Sequence, residues 1–470
     1  MPAPRATLLI FAAVVLAAIA PIAAAGQGVS DSYYQFLMAR RLEAMGDNAG
    51  ALAALTRAAG ADPMSGEIRA EIASFHLRHN RRDEAEKAAK EALTLDDDNL
   101  EAHRVLGLLF AASADEANEK RQGAQAMAAS REAIAHLERV GSSPAADINL
   151  HYTLGRLYLR TGAPEKAVQA LGRVLSQNPN SVQGRMTLAT AYAASNNLKA
   201  AVETLAEIVE DEPRVAAALA QYQEQAGDYK NAAENYTRAL QLTPMSRELK
   251  FRRAATLFSA KDFARSASFA AQAQTEHPDD LRFPRLQARA LFESGAADRA
   301  VSVMESTAKA FPRDIQTQFA LADLYNDAGR EGDAERSIRQ LLQAEPGNAD
   351  ALNYLGYLLA ERGVQLDEAV SLVRRALDVD PGNPSYLDSL GWAYFRRGDF
   401  AEAEKYLMPA AEKLPRNSVI QDHMGDVHLR RGRLQDAITS WTRALQGDGG
   451  DIDRAAIEKK ISDARAKLSR

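Results

Sequence analysis

Apolar residues return every three or four positions along most of the chain, the spacing of one helix face, with polar residues between them. In YLDSLGWAYFRRGDFAEAEKYLMPAAEKLP, Tyr386 to Pro415, a first run carries Leu387, Leu390 and Tyr394. Gly398-Asp399 interrupts it, and a second run carries Ala403 and Ala410 before Pro415. A Gly-Asp step stops a helix, and a Pro beyond the second run stops the next one. The pattern predicts two amphipathic helices joined by a short turn.

The same pattern recurs in phase. With Gly391 as the eighth position of a unit, units begin near Ser32, Gly66, Leu100, Ile148, Val182, Pro213, Arg247, Leu281, Ile315, Ala349, Pro384 and Ser418. That makes twelve units, most of them 34 residues apart. The eighth position is small throughout: Ala39, Ala73, Gly107, Gly155, Ala189, Ala220, Ala254, Ala288, Ala322, Gly356 and Gly425 besides Gly391. The twentieth is Ala in most units, from Ala51 and Ala85 to Ala369, Ala403 and Ala437. Small residues at these two places let paired helix backbones approach closely, while Leu, Tyr and Phe fill the space around them. One such hairpin cannot bury its apolar face, and a stack of them can.

A Leu-Gly step, a Tyr three residues on, a later Ala and a closing Pro resemble the tetratricopeptide repeat. The resemblance spans about residues 32–451. It implies an all-α, right-handed superhelical solenoid of about twelve helix-turn-helix units. The Trp usual at the fourth position is absent; Leu352 and Leu387 stand there, and Trp392 stands at the ninth. Residues 452–470 fit no further repeat and read as a polar capping helix that closes the last apolar face.

Several places break the period. The third unit carries 14 extra residues between Phe110 and Ala133, a polar, helix-prone text. It reads as a lengthened second helix, with Ser113 and Glu116 in a capping-box pattern, and is either a tolerated extension or a protruding partner contact. The fifth unit is three residues short and ends in EDEPRV. Pro409 falls inside a second helix and predicts a kink. QGDGGD, at Gln446 to Asp451, lacks the ligand ladder of a calcium loop and reads as a linker.

The start of the chain changes the expected compartment. Arg5, an apolar run from Ala6 to Ala20, Pro21 and then Ala23-Ala24-Ala25 before Gly26 form a secretory signal peptide pattern over residues 1–25, followed by a leader at 26–31. The alternative is an uncleaved membrane anchor. The mature chain is expected to be exported to the periplasm or cell envelope, without membrane insertion. With no Cys among 470 residues, disulfides, thiolate metal sites and Cys nucleophiles are excluded. A net charge of −6 without a basic stripe argues against nucleic acid as a partner.

No metalloprotease, phosphate-loop, nucleophile-elbow or dinucleotide signature is present, and no cofactor or metal is expected. His76 and His79 lie one turn apart but have no third donor nearby. The resemblance implies that positions two, five, nine and twelve of the first helices line a concave groove. In the eighth unit these are Arg282, Arg285, Arg289 and Phe292, a basic strip with an aromatic. In the last three units positions five and nine are Asn353, Tyr357, Asp388, Trp392, Asp422 and Asp426, an acidic, aromatic and amide-bearing lining. Either Trp392 is exposed there for peptide capture, or it is buried between units. The Lys and Asn pair of the chaperone-tail clamp occurs in no unit, which disfavours that partner.

The expected function is a non-catalytic protein–protein interaction scaffold of the bacterial cell envelope, binding protein or peptide segments in the groove. The last repeats are similar to those of exported bacterial tetratricopeptide adaptors for processing proteases. Alternatives are such an adaptor, a component of a polysaccharide, pilus or secretion export machine that binds glycan on Tyr357 and Trp392, or an enzyme.

Overall fold

The computed structural model describes residues 30–143, 146–448 and 452–469. These form helices joined by tight turns, with one isolated β-bridge between Asn417 and Asp448. The signal-peptide segment, residues 1–25, and Gly449 to Asp451 of the linker lie outside the described residues. The chain divides into two compact units, Met1–Pro244 and Met245–Arg470.

In the first unit α1 (residues 30–44) pairs with α2 (Asn48–Ala61), α3 (Gly66–Arg78) with α4 (Arg82–Leu95), and α5 (Leu100–Glu119) with α6 (Gly123–Gly141). Then α7 (Ile148–Arg160) pairs with α8 (Pro164–Gln177), α9 (Val182–Ala194) with α10 (Leu198–Ala206), and α11 (Ala216–Gln225), entered through a short 3-10 turn at Pro213–Val215, with α12 (Tyr229–Leu242). Helix α1 includes Ser30 and Asp31, assigned above to a leader. The chain is held there because the buried Ser32 hydroxyl donates to the Ala58 carbonyl on α2, at 3.1 Å.

The second unit holds α13 (Arg247–Ser259) with α14 (Phe263–Glu276), α15 (Arg282–Glu293) with α16 (Ala297–Ala310), and α17 (Ile315–Asp327) with α18 (Glu331–Ala344). It continues with α19 (Ala349–Arg362) and α20 (Leu366–Val379), α21 (Pro384–Arg397) and α22 (Phe400–Lys413), α23 (Ser418–Arg430) and α24 (Leu434–Gln446), closed by α25 (Arg454–Leu468). Its buried apolar core is continuous from Ala267 to Val427.

Close approach explains the small residues. Ala51, Ala85, Ala167, Ala369, Ala403 and Ala437 are fully buried. A Cβ on Gly391 would lie 2.5 Å from Leu407 Cγ, and one on Gly356 would lie 2.4 Å from Val373 Cγ2. Turn chemistry follows the sequence as well. Gly398 ends α21 at φ 93°, a left-handed value that suits glycine. In the PGN and PRN steps the Pro follows the end of one helix and the Asn caps the next. Asn348 Oδ1 accepts from Ala351 N at 2.9 Å, and Asn417 Oδ1 from Ile420 N at 3.0 Å.

One local expectation is corrected. The extra residues of the third unit lengthen both helices, α5 to 20 residues and α6 to 19. Ser113 caps nothing; it lies inside α5, and its hydroxyl donates to the Leu109 carbonyl. Three of the alanines after Phe110, Ala111, Ala114 and Ala117, are buried, so the first helix keeps an apolar stripe and does not stop. Pro409 lies inside the second helix of its hairpin, α22, as the sequence places it.

Candidate partner-binding groove

Helices α17, α19 and α21 stand side by side in the second unit, each first in its hairpin. Residues two, five and nine of each share one face, because those offsets return to one side of a helix. All of them except Trp392, the ninth of α21, line a cavity of about 560 Å³. Gln316, Phe319 and Asp323 come from α17, Asp350, Asn353, Tyr354 and Tyr357 from α19, and Ser385, Asp388 and Ser389 from α21. The start of α23 adds Val419 and Ile420.

The carboxylates of this groove are held by neutral or titratable donors. Tyr386 Oη donates to Asp350 Oδ1 at 2.5 Å, and Tyr354 donates to Asp323. His423 Nδ1 meets Asp388 Oδ1 at 2.9 Å. Burial, with Asp327 nearby, holds the Asp323 carboxyl above its usual range in spite of the Tyr354 hydrogen bond and the opposing pull of Arg289. Burial also pushes the Tyr354 and Tyr357 phenols up, reinforced by Asp323 for the first and Glu361 for the second, so both stay protonated donors.

Of the residues singled out from sequence, Asn353, Tyr357 and Asp388 reach this groove. Trp392 is buried between hairpins, 9% exposed. It stacks on His423 at 4.0 Å and 12° and on Phe395 at 4.8 Å and 11°. Asp422 and Asp426 are covered by the closing helix. Lys460 Nζ from α25 lies 2.9 Å from Asp422 Oδ1 and 2.8 Å from Asp426 Oδ1, and Trp441 Nε1 donates to Asp426 at 3.2 Å. These two carboxylates therefore hold the cap, and an open lining there is corrected.

The basic strip on α15 is largely neutralised. Arg282 pairs with Asp280 at 2.8 Å and Glu248 at 3.0 Å, over the Phe251 ring. Arg289 pairs with Asp327 at 2.6 Å and Glu293 at 2.8 Å, near the Phe292 ring. Arg285 Nε donates to the Leu281 carbonyl, and Phe292 packs against the core. Gln316, Phe319, Asp323, Asp350 and Ser385 were not singled out, although the same two, five and nine offsets on α17, α19 and α21 reach all five.

Among the described residues no group of three or more His, Cys, Asp or Glu side chains could hold a metal, and no helix is long and apolar enough to cross a membrane. His79 packs on Phe75 with ring centroids 4.4 Å apart, and its Nε2 lies 3.3 Å from Glu43 Oε1.

Two models of one family, both described as tetratricopeptide repeat, match the chain. One covers residues 42–109 and 162–222, the other 217–280, 319–384, 365–417 and 389–456, together well over half of the sequence. The chain belongs to the tetratricopeptide repeat family. Repeats of this family generally mediate protein–protein interaction, and proteins built from them are typically non-catalytic scaffolds. A curated TPR repeat-containing protein of Pseudomonas aeruginosa is 29% identical over 159 residues, 33% of this chain. The chain spans about a quarter of that relative's length, 26%. Among solved structures, yeast Tom70 aligns at a TM-score of 0.45 and 13% identity over 93% of this chain and 96% of that one. Naa15/Naa10 bound to HypK-THB aligns at 0.42 and 18% over 88% and 68%.

Proposed function

We propose that this tetratricopeptide repeat protein is a non-catalytic scaffold of the bacterial cell envelope that holds segments of partner proteins in the groove over α17, α19 and α21. One observation carries the reading. Side chains at regular offsets on three packed helices converge on one cavity, offering amide, hydroxyl, carboxylate and aromatic groups from elements whose other faces are locked in a core. A site on rigid helices loses little conformational entropy when a partner docks. Export to the envelope rests on the apolar, small-residue-terminated pattern at the start of the sequence. Delivery of substrates to a processing protease, or service in an export machine, are finer forms of the same role.

The absence of Cys makes the test clean. Ser385→Cys places a single thiol in the groove, and Ser371→Cys places one on an exposed face of α20. Each is labelled with a thiol-directed photocrosslinker and exposed to envelope extract. Polypeptides captured by the Ser385 label and not by the Ser371 label are expected. Identical captured sets from both positions would contradict the groove assignment. Peptide, phosphoester or glycoside turnover by purified protein would contradict the non-catalytic reading.

A further inference from the structure

We infer that the outer face of α1 is a self-association surface, on which a second copy of this chain lays its own α1 antiparallel. The first unit breaks a rule of burial that the later units keep. The third and tenth positions of a unit lie on the side of the first helix that meets the preceding hairpin. In the second unit Ile68 clusters there with Ala58 and Ala59 of α2, and Phe75 with Leu55 of α2. In the later units the third position is buried in all but one, as at Phe283 and Tyr386, and so is the tenth, as at Leu157 and Val427. In the first unit the same positions hold Tyr34, 56% exposed, and Arg41, also exposed. Leu37 is 49% exposed and Met45 71%. These four return every three or four positions and form one stripe. The opposite face of α1 is fixed, with Ala39 buried against Ala51, Leu55 and Phe75. The apolar face of the last hairpin is closed by Ile457, Ile461 and Ala464 of α25, and no helix among the described residues precedes α1 to do the same.

The charges on α1 name the occupant. The helix carries Asp31, Arg40, Arg41 and Glu43. Arg40 is paired with Glu71 at 3.3 Å, and Glu43 with Arg78 at 2.9 Å. Asp31 and Arg41 are exposed and pair with nothing among the described residues. The two charges left over are therefore of opposite sign, and they stand toward opposite ends of the stripe with Tyr34 and Leu37 between them. Their separation is about 15 Å along the helix. A second α1 turned end for end about Phe36 brings each Asp31 beside the other copy's Arg41. It also sets each Tyr34 beside the other copy's Met38 and opposes the two helix dipoles. One face thus supplies both halves of a two-fold interface, the commonest symmetry of soluble oligomers. A parallel copy would set Asp31 on Asp31 and Arg41 on Arg41. An anionic lipid surface would suit Arg41 and repel Asp31. The stripe shares no residue with the groove over α17, α19 and α21, so the two readings stand or fall separately.

The test is sedimentation velocity of the purified full chain. One helix face is a small interface, so a monomer–dimer equilibrium is expected between about 1 and 100 μM. Leu37→Glu should weaken the dimer about tenfold or more, because it sets a charge in the middle of the stripe. Asp31→Arg alone and Arg41→Asp alone should each weaken it about tenfold by bringing like charges together, and the two changes combined should recover the parent's affinity. Leu242→Glu, at an exposed apolar residue ending α12, should leave the equilibrium as it is in the parent. All the altered side chains are exposed, so each variant keeps the fold. A chain that stays monomeric throughout, a dimer indifferent to Leu37→Glu, or a double variant no tighter than the single ones would overturn the inference. In a monomeric chain, a Leu37→Cys thiol that resists a thiol-directed reagent would assign the stripe to residues 1–29 of the same chain instead.

Discussion

Gly391→Ala adds one methyl group at the closest approach of α21 and α22. The new Cβ would lie 2.5 Å from Leu407 Cγ, 3.2 Å from Leu407 Cδ1 and 3.0 Å from the Ala403 carbonyl oxygen. Carbon atoms rest at about 3.5–4.0 Å, so the overlap on Leu407 is about 1 Å. Leu407 and Ala403 are both fully buried, and neither can swing away into solvent. Overpacking of this kind costs about 1–3 kcal/mol, and a clash against both a branched carbon and backbone belongs at the upper end. Ala is the better helix former by about 1 kcal/mol, which leaves a net loss of about 2 kcal/mol. Gly172→Ala is the matched comparison. Gly172 lies exposed within α8, and nothing would come within 4 Å of its Cβ. There the propensity gain stands alone, and about 1 kcal/mol of stabilisation is expected. A stack of repeats opens locally, so amide hydrogen exchange read by mass spectrometry is the suitable assay, on α21–α22 for one variant and α7–α8 for the other. Faster exchange for Gly391→Ala and slower exchange for Gly172→Ala are predicted. Slower exchange in both would refute close packing as the reason for a small eighth residue.

Three further outcomes are expected. Burial alone would push the His423 imidazole down, but Asp388, with Asp422 and Glu361 behind it, holds it above the ordinary histidine range. Its stabilising contribution is therefore complete below the unfolded histidine value and fades as pH rises through the raised one. His423→Phe should keep the stack on Trp392, strand Asp388 at a cost of about 3 kcal/mol in acid-side urea unfolding, and flatten that pH dependence. Lys460→Met leaves Asp422 and Asp426 facing each other without their cation, and should weaken docking of α25 by about 1–2 kcal/mol. Burial already lifts the Asp426 carboxyl, so this deficit should shrink as pH falls, read from exchange of α25 amides at acid and neutral pH. Trp392→Ala should lower stability by about 3–5 kcal/mol in urea unfolding, because the ring is packed between Phe395 and His423; Trp392→Phe should recover most of it.

The fold was legible because the period and the contact obey one rule. A small residue at the eighth place, an Ala at the twentieth and a Pro at the end recur together, and each has a close-packing or turn-ending reason visible in the sequence. The third unit was less legible. Its added text is polar and helix-prone with no Gly or Pro before Gly123, so nothing marked where one helix ends. The groove was half legible. Offsets two, five and nine find Asn353, Tyr357 and Asp388, and applied to α17 they also find Gln316, Phe319 and Asp323. The same offsets on α23 give Asp422 and Asp426, which the closing helix covers. Lys460 is plain in the sequence, but which face of α25 docks depends on Ile457, Ile461 and Ala464 meeting Trp441. Trp392 lay beyond sequence reading for the same reason, since its cover, His423, comes from the following hairpin.

The most direct test of the groove is to map where a bound segment lies. Polypeptides of an envelope extract are labelled with a benzophenone and photocrosslinked to the full chain, and the attachment sites are read by mass spectrometry. Crosslinks concentrated on the inner residues of α17, α19 and α21, such as Gln316, Asn353 and Ser385, are predicted. Crosslinks concentrated on the second helices of the hairpins, or in residues before Pro244, would contradict it.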